Sequence, residues 1–230
     1  MIDFKFFAPI SGLLALMCVI LPAHDLGAEE LGQSKIAALY ETRVIQISHR
    51  PKSQNNQWRL WRSDDLVARE VGDQSIERWH RASNGEIAYD RIFPQEKRVI
   101  EYVPGDLRAL QSYPDWLEVT QLISADQLNR LRRLENIQTA VGEAEHYQGQ
   151  IGGVDWEVHW LPEVKLPAMV RTVNGARETS IHLLEIHPLA NAPWPVPSSR
   201  GYEAIDYADL GDNEADPFVQ RHAQHGHHEH

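Results

Sequence analysis

The chain has 230 residues, a length that predicts a single domain with a tail. Apolar residues make up 42% and charged residues 24%, a balance that supports a hydrophobic core and excludes a disordered, a collagen-like or a multi-span membrane protein. The one cysteine, Cys18, lies in an N-terminal apolar run. A disulfide framework and a cysteine-based zinc site are therefore excluded.

Residues 1–28 have the pattern of a secretory signal peptide. Lys5 precedes the apolar run Ile10–Leu21, whose 12 residues are fewer than the ~20 needed to cross a bilayer as a helix. Ala23 and Ala28 are both small residues suited to cleavage, and we take Ala28 as the end of the leader. The residue before Cys18 is neither Gly nor Ala, which disfavours a lipid-modified cysteine. An uncleaved membrane tether is the alternative.

The charge of the mature chain limits its partners. The whole chain carries 22 basic and 33 acidic residues, a net charge of −11. Removal of residues 1–28 takes away Lys5, Asp3 and Asp25 and leaves 21 basic and 31 acidic residues, a net charge of −10. Such a surface repels phosphate backbones and anionic membranes, so nucleic acid is not an expected partner. We predict a periplasmic or secreted protein whose mature form does not span a membrane.

The first half is predicted to be a helix followed by an antiparallel meander. Gln33–Thr42 has apolar residues at helical spacing, and Arg43–His49 favours a strand. The polar stretch Pro51–Gln57 predicts a loop. Asn84-Gly85 indicates a hairpin, because both central positions of its turn need positive φ. The other predicted strands are Trp58–Val67, Ile76–Ser83, Glu86–Phe93 and Arg98–Val103.

Helices are predicted in the middle of the chain. Ser124 and Gln127 form a capping box, which opens a helix with Leu128, Leu131 and Leu134 on one face. The two helices before it are Asp106–Gln111 and Asp115–Ile123.

Strands return after residue 136, and a second Asn-Gly turn at Asn174-Gly175 joins the last two of them. These predicted strands are Ile137–Val141, His146–Ile151, Val154–Leu161, Ala168–Val173 and Arg177–Ile186. From Pro188 the chain becomes rich in proline and then acidic, and its last nine residues are rich in histidine. We therefore divide the chain into a signal peptide (1–28), a folded domain (29–187), a Pro-rich and acidic extension (188–221) and a His-rich tail (222–230).

The chain has a run of strands, then a group of helices, then more strands, and strands and helices do not alternate regularly. This order predicts an α+β fold in which helices gather on one face of an antiparallel sheet. The order of the elements, the hairpin at Asn84-Gly85 and the strand, Leu-Pro, turn and strand arrangement of residues 154–186 resemble the LolA/LolB/RseB group of exported bacterial proteins. The resemblance covers residues 29 to about 187. It implies a strongly curved sheet, a half-open barrel, with helices covering one face. No binding residue of that group can be assigned to a position in this chain.

A half-open barrel would present an apolar inner wall. Trp156, Val158 and Trp160 alternate on one face of a predicted strand, and Trp58 and Trp79 come from the first half of the chain. Aromatic rings in such a groove bury area at low entropic cost and tolerate varied acyl chains. We predict that these five residues line a groove for a lipid, an acyl chain or a lipidated protein segment. Burial in an ordinary core is the alternative interpretation.

The tail suggests a second function. It carries His222, His225, His227, His228 and His230, and neutral imidazole is a good ligand for copper, zinc and nickel. A periplasmic metal-handling protein is therefore an alternative hypothesis, although no cofactor is required by the fold. An incidental tail is the competing interpretation.

Other constellations give weaker signals. Asp155, Glu157 and His159 share the face opposite Trp156, and with His187 they could serve acid/base chemistry or a metal, although a solvent-facing polar surface explains them as well. A calcium loop starting at Asp212 fails the required spacing. The sequence contains no nucleophile elbow, zinc-protease, phosphate-loop or dinucleotide motif, so we do not predict an enzyme. An envelope-stress sensor that binds another protein is a further alternative.

Overall fold

The computed structural model describes residues 35–47, 52–72 and 74–222, and within them one sheet forms the framework. Its strands run in the order β13-β6-β5-β4-β3-β2-β1-β12-β11-β10-β9-β7, with β8 on β9, and every pairing except β13 with β6 is antiparallel. The strands are β1 Ile36–Gln46, β2 Lys52–Arg62, β3 Leu66–Glu70, β4 Ile76–Arg81, β5 Ile87–Phe93, β6 Arg98–Tyr102, β7 Arg132–Arg133, β8 Ile137–Thr139, β9 Gly142–Ile151, β10 Val154–Leu161, β11 Leu166–Asn174, β12 Arg177–Pro188 and β13 Glu203–Asp206.

The sheet is curled and unclosed, and short helices cover one of its faces, so the predicted fold class is confirmed. Irregular registers at Leu39/Tyr40 and at His159/Trp160 are of the kind that bends a strand. The helices are α1 Pro104–Ala109, α2 Trp116–Gln121, α3 Ala125–Asn129 and α4 Pro217–His222, with single 3₁₀ turns at Leu189–Asn191 and Tyr207–Asp209. Among the described residues, no helix has the length and apolar composition that crossing a bilayer requires.

The core lies on the face that the helices cover, which we call the helix-covered face. Fully buried Tyr40 and Leu60 lie on β1 and β2, and Trp116 and Val119 of α2 pack against the same cluster. A second cluster on this face forms where α4 places Phe218 against β5 and β6. The opposite, outer face is covered in part by the segment that follows β12. The helix-covered face therefore holds clusters in which helices pack directly on the sheet.

Both predicted Asn-Gly hairpins are present. The first is a longer loop in which Gly85 alone has positive φ, at 86°, and Asn84 does not, so the expectation of positive φ at both positions is wrong. The N–H of Gly85 donates to the carbonyl of Ala82, and the N–H of Ala82 donates to that of Glu86. These bonds form a type I turn followed by a bulge. In the second hairpin, Gly175 also has positive φ, at 55°.

Two predictions in the N-terminal part are wrong. The described part of the expected helix Gln33–Thr42 lies in strand β1 from Ile36 onward, since Ile36, Ala38 and Tyr40 all point to the core in a period of two. The expected loop Pro51–Gln57 is largely the start of β2, whose Lys52 pairs with Gln46. Pairing along β1 supplies backbone hydrogen bonds that outweigh the low strand propensity of these polar residues.

The predicted helix after Ser124 is shorter than expected. Its capping box is present, with the Ser124 hydroxyl accepting from the N–H of Gln127 at 3.1 Å. The helix ends at Asn129, so the expectation that Leu131 and Leu134 continue its face is wrong. Leu131 is buried against β10 instead, because the chain turns there into the short strand β7.

The predicted Pro-rich and acidic extension belongs to the same sheet. Trp194 packs on the outer face beside Trp61 and Ala68, and β13 then pairs in parallel with β6. Helix α4 closes the edge of the core, where Phe93 contacts Phe218 at a ring separation of 5.0 Å. Neither element is indicated by the sequence pattern.

Candidate functional site

The five predicted groove residues occupy two environments on the helix-covered face. Val158, Trp160 and Trp79 are buried, at 0%, 8% and 9% exposure. Trp58 on β2 and Trp156 on β10 are half-buried, and each packs against a different core cluster. Val158, Trp160 and Trp79 therefore lie in the core, whereas Trp58 and Trp156 are partly exposed.

A strip of half-buried side chains joins Trp58 to Trp156. Tyr40 pairs with Trp58, and the next residue on this face of β1, Thr42, pairs with Ile181, which pairs with Val170. Val170 in turn packs in one cluster with Trp156. We call this surface of Trp58, Thr42, Ile181, Val170 and Trp156 the aromatic trough. It crosses five strands, a width of about 19 Å at ~4.8 Å per strand.

The aromatic trough carries no charged side chain. Trp58 stacks on Tyr40 with ring centroids 4.8 Å apart, and its Nε1 donates to Thr42 Oγ1 at 2.9 Å. Burial raises the pKa of Tyr40 above its usual range, so the phenol is neutral. Trp156 Nε1 is buried and has no hydrogen-bond partner among the residues that the structure describes. The trough is thus apolar, with one unpaired donor at one end.

A buried arginine fixes the helical cover beside the trough. Arg62 donates to the carbonyl of Thr120 in α2 at 2.8 Å, and to the carbonyls of Val164 and Lys165 at 2.5 and 3.2 Å. Burial lowers the pKa of Arg62 to about 10, which still leaves the guanidinium protonated at neutral pH. The cover and the loop between β10 and β11 are therefore attached to the sheet through one side chain.

The outer face carries a separate group of titratable side chains. Glu157 Oε1 lies 3.4 Å from His159 Nε2 and 3.4 Å from His146 Nε2, which β9 contributes. Asp155 shares the face but accepts from Gln150 at 3.0 Å. His187 faces Glu185 at 3.1 Å, so it does not join the group. The predicted neighbourhood of Glu157 and His159 is present, with a different histidine.

Burial is the main cause of the lowered pKa of two histidines on this face, His159 and His182. It lowers the pKa of His159, and the positive charge that His146 and His182 can carry lowers it further, against the effect of Glu157. Burial likewise lowers the pKa of His182, with Arg43 adding to the effect. Both imidazoles are therefore neutral at pH 7.

No protein-family model and no curated protein matches the chain. Solved structures do match. An uncharacterized conserved protein from Thermus thermophilus is 8% identical, with a TM-score of 0.46 over 78% of this chain and 94% of that one. A LolA superfamily protein from Nitrosomonas europaea is 9% identical, with a TM-score of 0.31 over 72% and 91%. A chain of the Pseudomonas aeruginosa MucA/MucB complex is 13% identical, with a TM-score of 0.35 over 75% and 56%. The group predicted from the sequence is thus represented among similar structures.

Only the first of the predicted tail ligands is among the described residues. His222 closes α4, contacts Phe93 with tilted rings whose centroids are 4.2 Å apart, and places Nε2 3.2 Å from Glu96 Oε2. The other four tail histidines and the predicted signal peptide lie outside the described residues. Metal binding by the tail stays a prediction.

His146 is the residue that the sequence analysis missed. Five residues separate it from the turn between β9 and β10, and five separate His159 from the same turn, so the two are paired. The dipeptide Gly152-Gly153 could have predicted this pairing. Both glycines have positive φ, and a two-residue turn of this type fixes the register of the strands that it joins.

Proposed function

We propose that this protein is an exported, periplasmic binding protein that holds an apolar chain in the aromatic trough without covalent chemistry. The observation that carries the proposal is the uncharged strip between Trp58 and Trp156, which lies beside a core that is already filled. The ligand class is an acyl chain, either of a free lipid or of a lipidated protein segment.

The composition of the trough supports an acyl chain over a polar ligand. Ile181 and Val170 form the middle of its floor, and a tryptophan stands at either end. A ligand that spans the strip would gain ~25 cal/mol for each Å² of apolar surface removed from water. A ligand with charges along its length would lose hydration there without charged partners in return.

The unpaired indole N–H of Trp156 indicates the orientation of the ligand in the trough. Trp156 Nε1 is a buried donor with no acceptor in the described part of the chain. A carboxyl or ester oxygen at the head of the acyl chain would satisfy it and so offset the cost of leaving it unpaired. The polar end of the ligand therefore belongs at Trp156 and the apolar end toward Trp58.

Titration of the full chain with a fluorescent fatty acid tests the proposal. Ile181→Asp places a carboxylate in the middle of the floor and is expected to weaken binding at least tenfold. Leu184→Asp is the matched control, because Leu184 lies on the same strand but is 40% exposed. We expect the control to bind like the parent protein. Equal binding by both variants, or no binding by the delipidated parent, contradicts the proposal.

A further inference from the structure

Three side chains with metal-binding atoms converge on the outer face of β9 and β10. His146, Glu157 and His159 each offer one ligand atom, and these atoms all lie within 4.8 Å of one another. All three side chains are largely buried, with 19%, 27% and 17% of their surface exposed. The group lies on the face of β10 opposite the aromatic trough, and the proposed function does not use it.

Two of the three separations in the group match a tetrahedral ion, and the ligand atoms of the two histidines lie within 4.8 Å of each other. Two ligand atoms bound at ~2.1 Å with tetrahedral angles lie ~3.4 Å apart. The two distances from Glu157 Oε1, to His146 Nε2 and to His159 Nε2, are both 3.4 Å. The rings of the two histidines are perpendicular, at 89°, with centroids 5.0 Å apart, so both can direct a nitrogen to one point without stacking.

His146 supplies a second, independent observation. Its Nε2 is buried and makes no hydrogen bond of ordinary geometry within the described ranges. An unpaired buried ring nitrogen costs free energy that a bound ion would recover. The nitrogen lies 3.4 Å from Glu157 Oε1, another atom of the group.

The surroundings hold the carboxylate in place. Arg171 lies 3.8 Å from Glu157 Oε2, the oxygen that faces away from the histidines, and is itself paired with Glu178 at 2.7 Å. Such outer contacts orient a ligand and are typical of metal sites. A depression of about 730 Å³, lined in part by Gln148, Asp155 and Arg171, adjoins Glu157 and gives access from solvent.

We propose that His146, Glu157 and His159 bind one divalent transition-metal ion of the zinc class, with a fourth position open to water or to a ligand. Two imidazole nitrogens and one carboxylate favour zinc, nickel or copper over magnesium and calcium, which prefer oxygen ligands. This site is formed by strands β9 and β10 and uses none of the tail histidines.

The experiment separates this site from the tail. In the full chain, His225, His227, His228 and His230 are replaced by alanine, and Zn²⁺ binding is measured by competition with a chromophoric chelator. We expect one equivalent of Zn²⁺ to bind to this parent.

Three substitutions in that parent test the ligands. Glu157→Gln, His146→Asn and His159→Asn are each expected to lower the affinity at least tenfold, the lower limit even for losing an outer contact. His187→Asn is the matched control, because it removes a histidine that faces a glutamate outside the group. The control is expected to keep the parent's affinity.

Thermal unfolding with and without Zn²⁺ shows whether a variant that has lost Zn²⁺ affinity is still folded. The parent and His187→Asn are expected to unfold at higher temperature with Zn²⁺, and the ligand variants are expected to show a smaller increase at the same Zn²⁺ concentration. Because the ligands come from two strands, a variant on one strand remains informative if a variant on the other fails to fold. A parent that binds no Zn²⁺, or folded ligand variants that bind it as tightly as the parent, overturns the proposal.

Discussion

Arg62→Met removes the link between the helical cover and the sheet. Arg62 is 3% exposed and donates to three carbonyls, of Thr120, Val164 and Lys165. Bonds from a charged donor are worth ~2 kcal/mol each, so their loss costs about 6 kcal/mol. Replacement by methionine removes the cost of burying the charged guanidinium, which is about 3 kcal/mol because burial lowers the pKa of Arg62 to about 10. We expect a net loss of about 3 kcal/mol in the free energy of unfolding.

Equilibrium unfolding in urea, followed by tryptophan fluorescence, measures this loss. A loss of about 3 kcal/mol also lowers the melting temperature by about 6–12 °C for a chain of this size. Arg43→Met is the control, because Arg43 is 46% exposed and forms a surface ion pair with Glu41, worth ~0–1 kcal/mol. A loss below about 1 kcal/mol for Arg62→Met, or one equal to the control, refutes the reasoning, since such small losses are typical of sites without buried partners.

Three further outcomes follow from particular contacts. Burial raises the pKa of Asp90, but hydrogen bonds with His80 and Arg78 outweigh this effect and leave the pKa lowered. Asp90→Asn is therefore expected to destabilise the protein at pH 7. In urea titrations at several pH values, the difference from wild type is expected to shrink as the pH falls below ~4. Ser124→Ala removes the capping box and costs ~1 kcal/mol in the same assay. Gly85→Ala puts a side chain at φ 86° and costs ~1 kcal/mol, whereas an unchanged midpoint contradicts the turn geometry.

Much of the sheet could be predicted because local signals agree with the tertiary fold. The Asn-Gly turns, the alternation of Trp156, Val158 and Trp160, and the capping box at Ser124 each depend on a few neighbouring residues. The structure contains all of them at the predicted places. Such elements can be predicted from a single sequence because their local preferences agree with the overall fold.

The missed elements depend on contacts that no local window contains. Strand β2 begins at Lys52 among exposed polar residues, and only its pairing with β1 makes it a strand. Strand β13 pairs with β6 across a separation of about a hundred residues, as Ile205 faces Ile100. Pairings between distant segments carry no signature in the spacing of either segment alone.

The site was predicted only in part for a related reason. Alternation identifies which residues share a face, but not which of them a helix covers. Trp160 is buried because Ile123 and Leu131, from a different part of the chain, pack on it. Trp156, four residues away on the same face, packs against this cluster but remains half-buried. The boundary between core and trough is therefore set by the length of the helical cover, which the sequence overestimated after Asn129.

The two faces of β10 follow from a single alternating segment. Its helix-covered face carries Trp156 and Val158, and its outer face carries Glu157 and His159. A shift of one residue in the pairing with β9 would exchange these faces and would also separate His159 from His146. The turn at Gly152-Gly153 fixes that register, because both glycines adopt positive φ. Insertion of one residue into this turn is therefore expected to impair acyl-chain binding and Zn²⁺ binding together, whereas substitutions on either face impair one and spare the other.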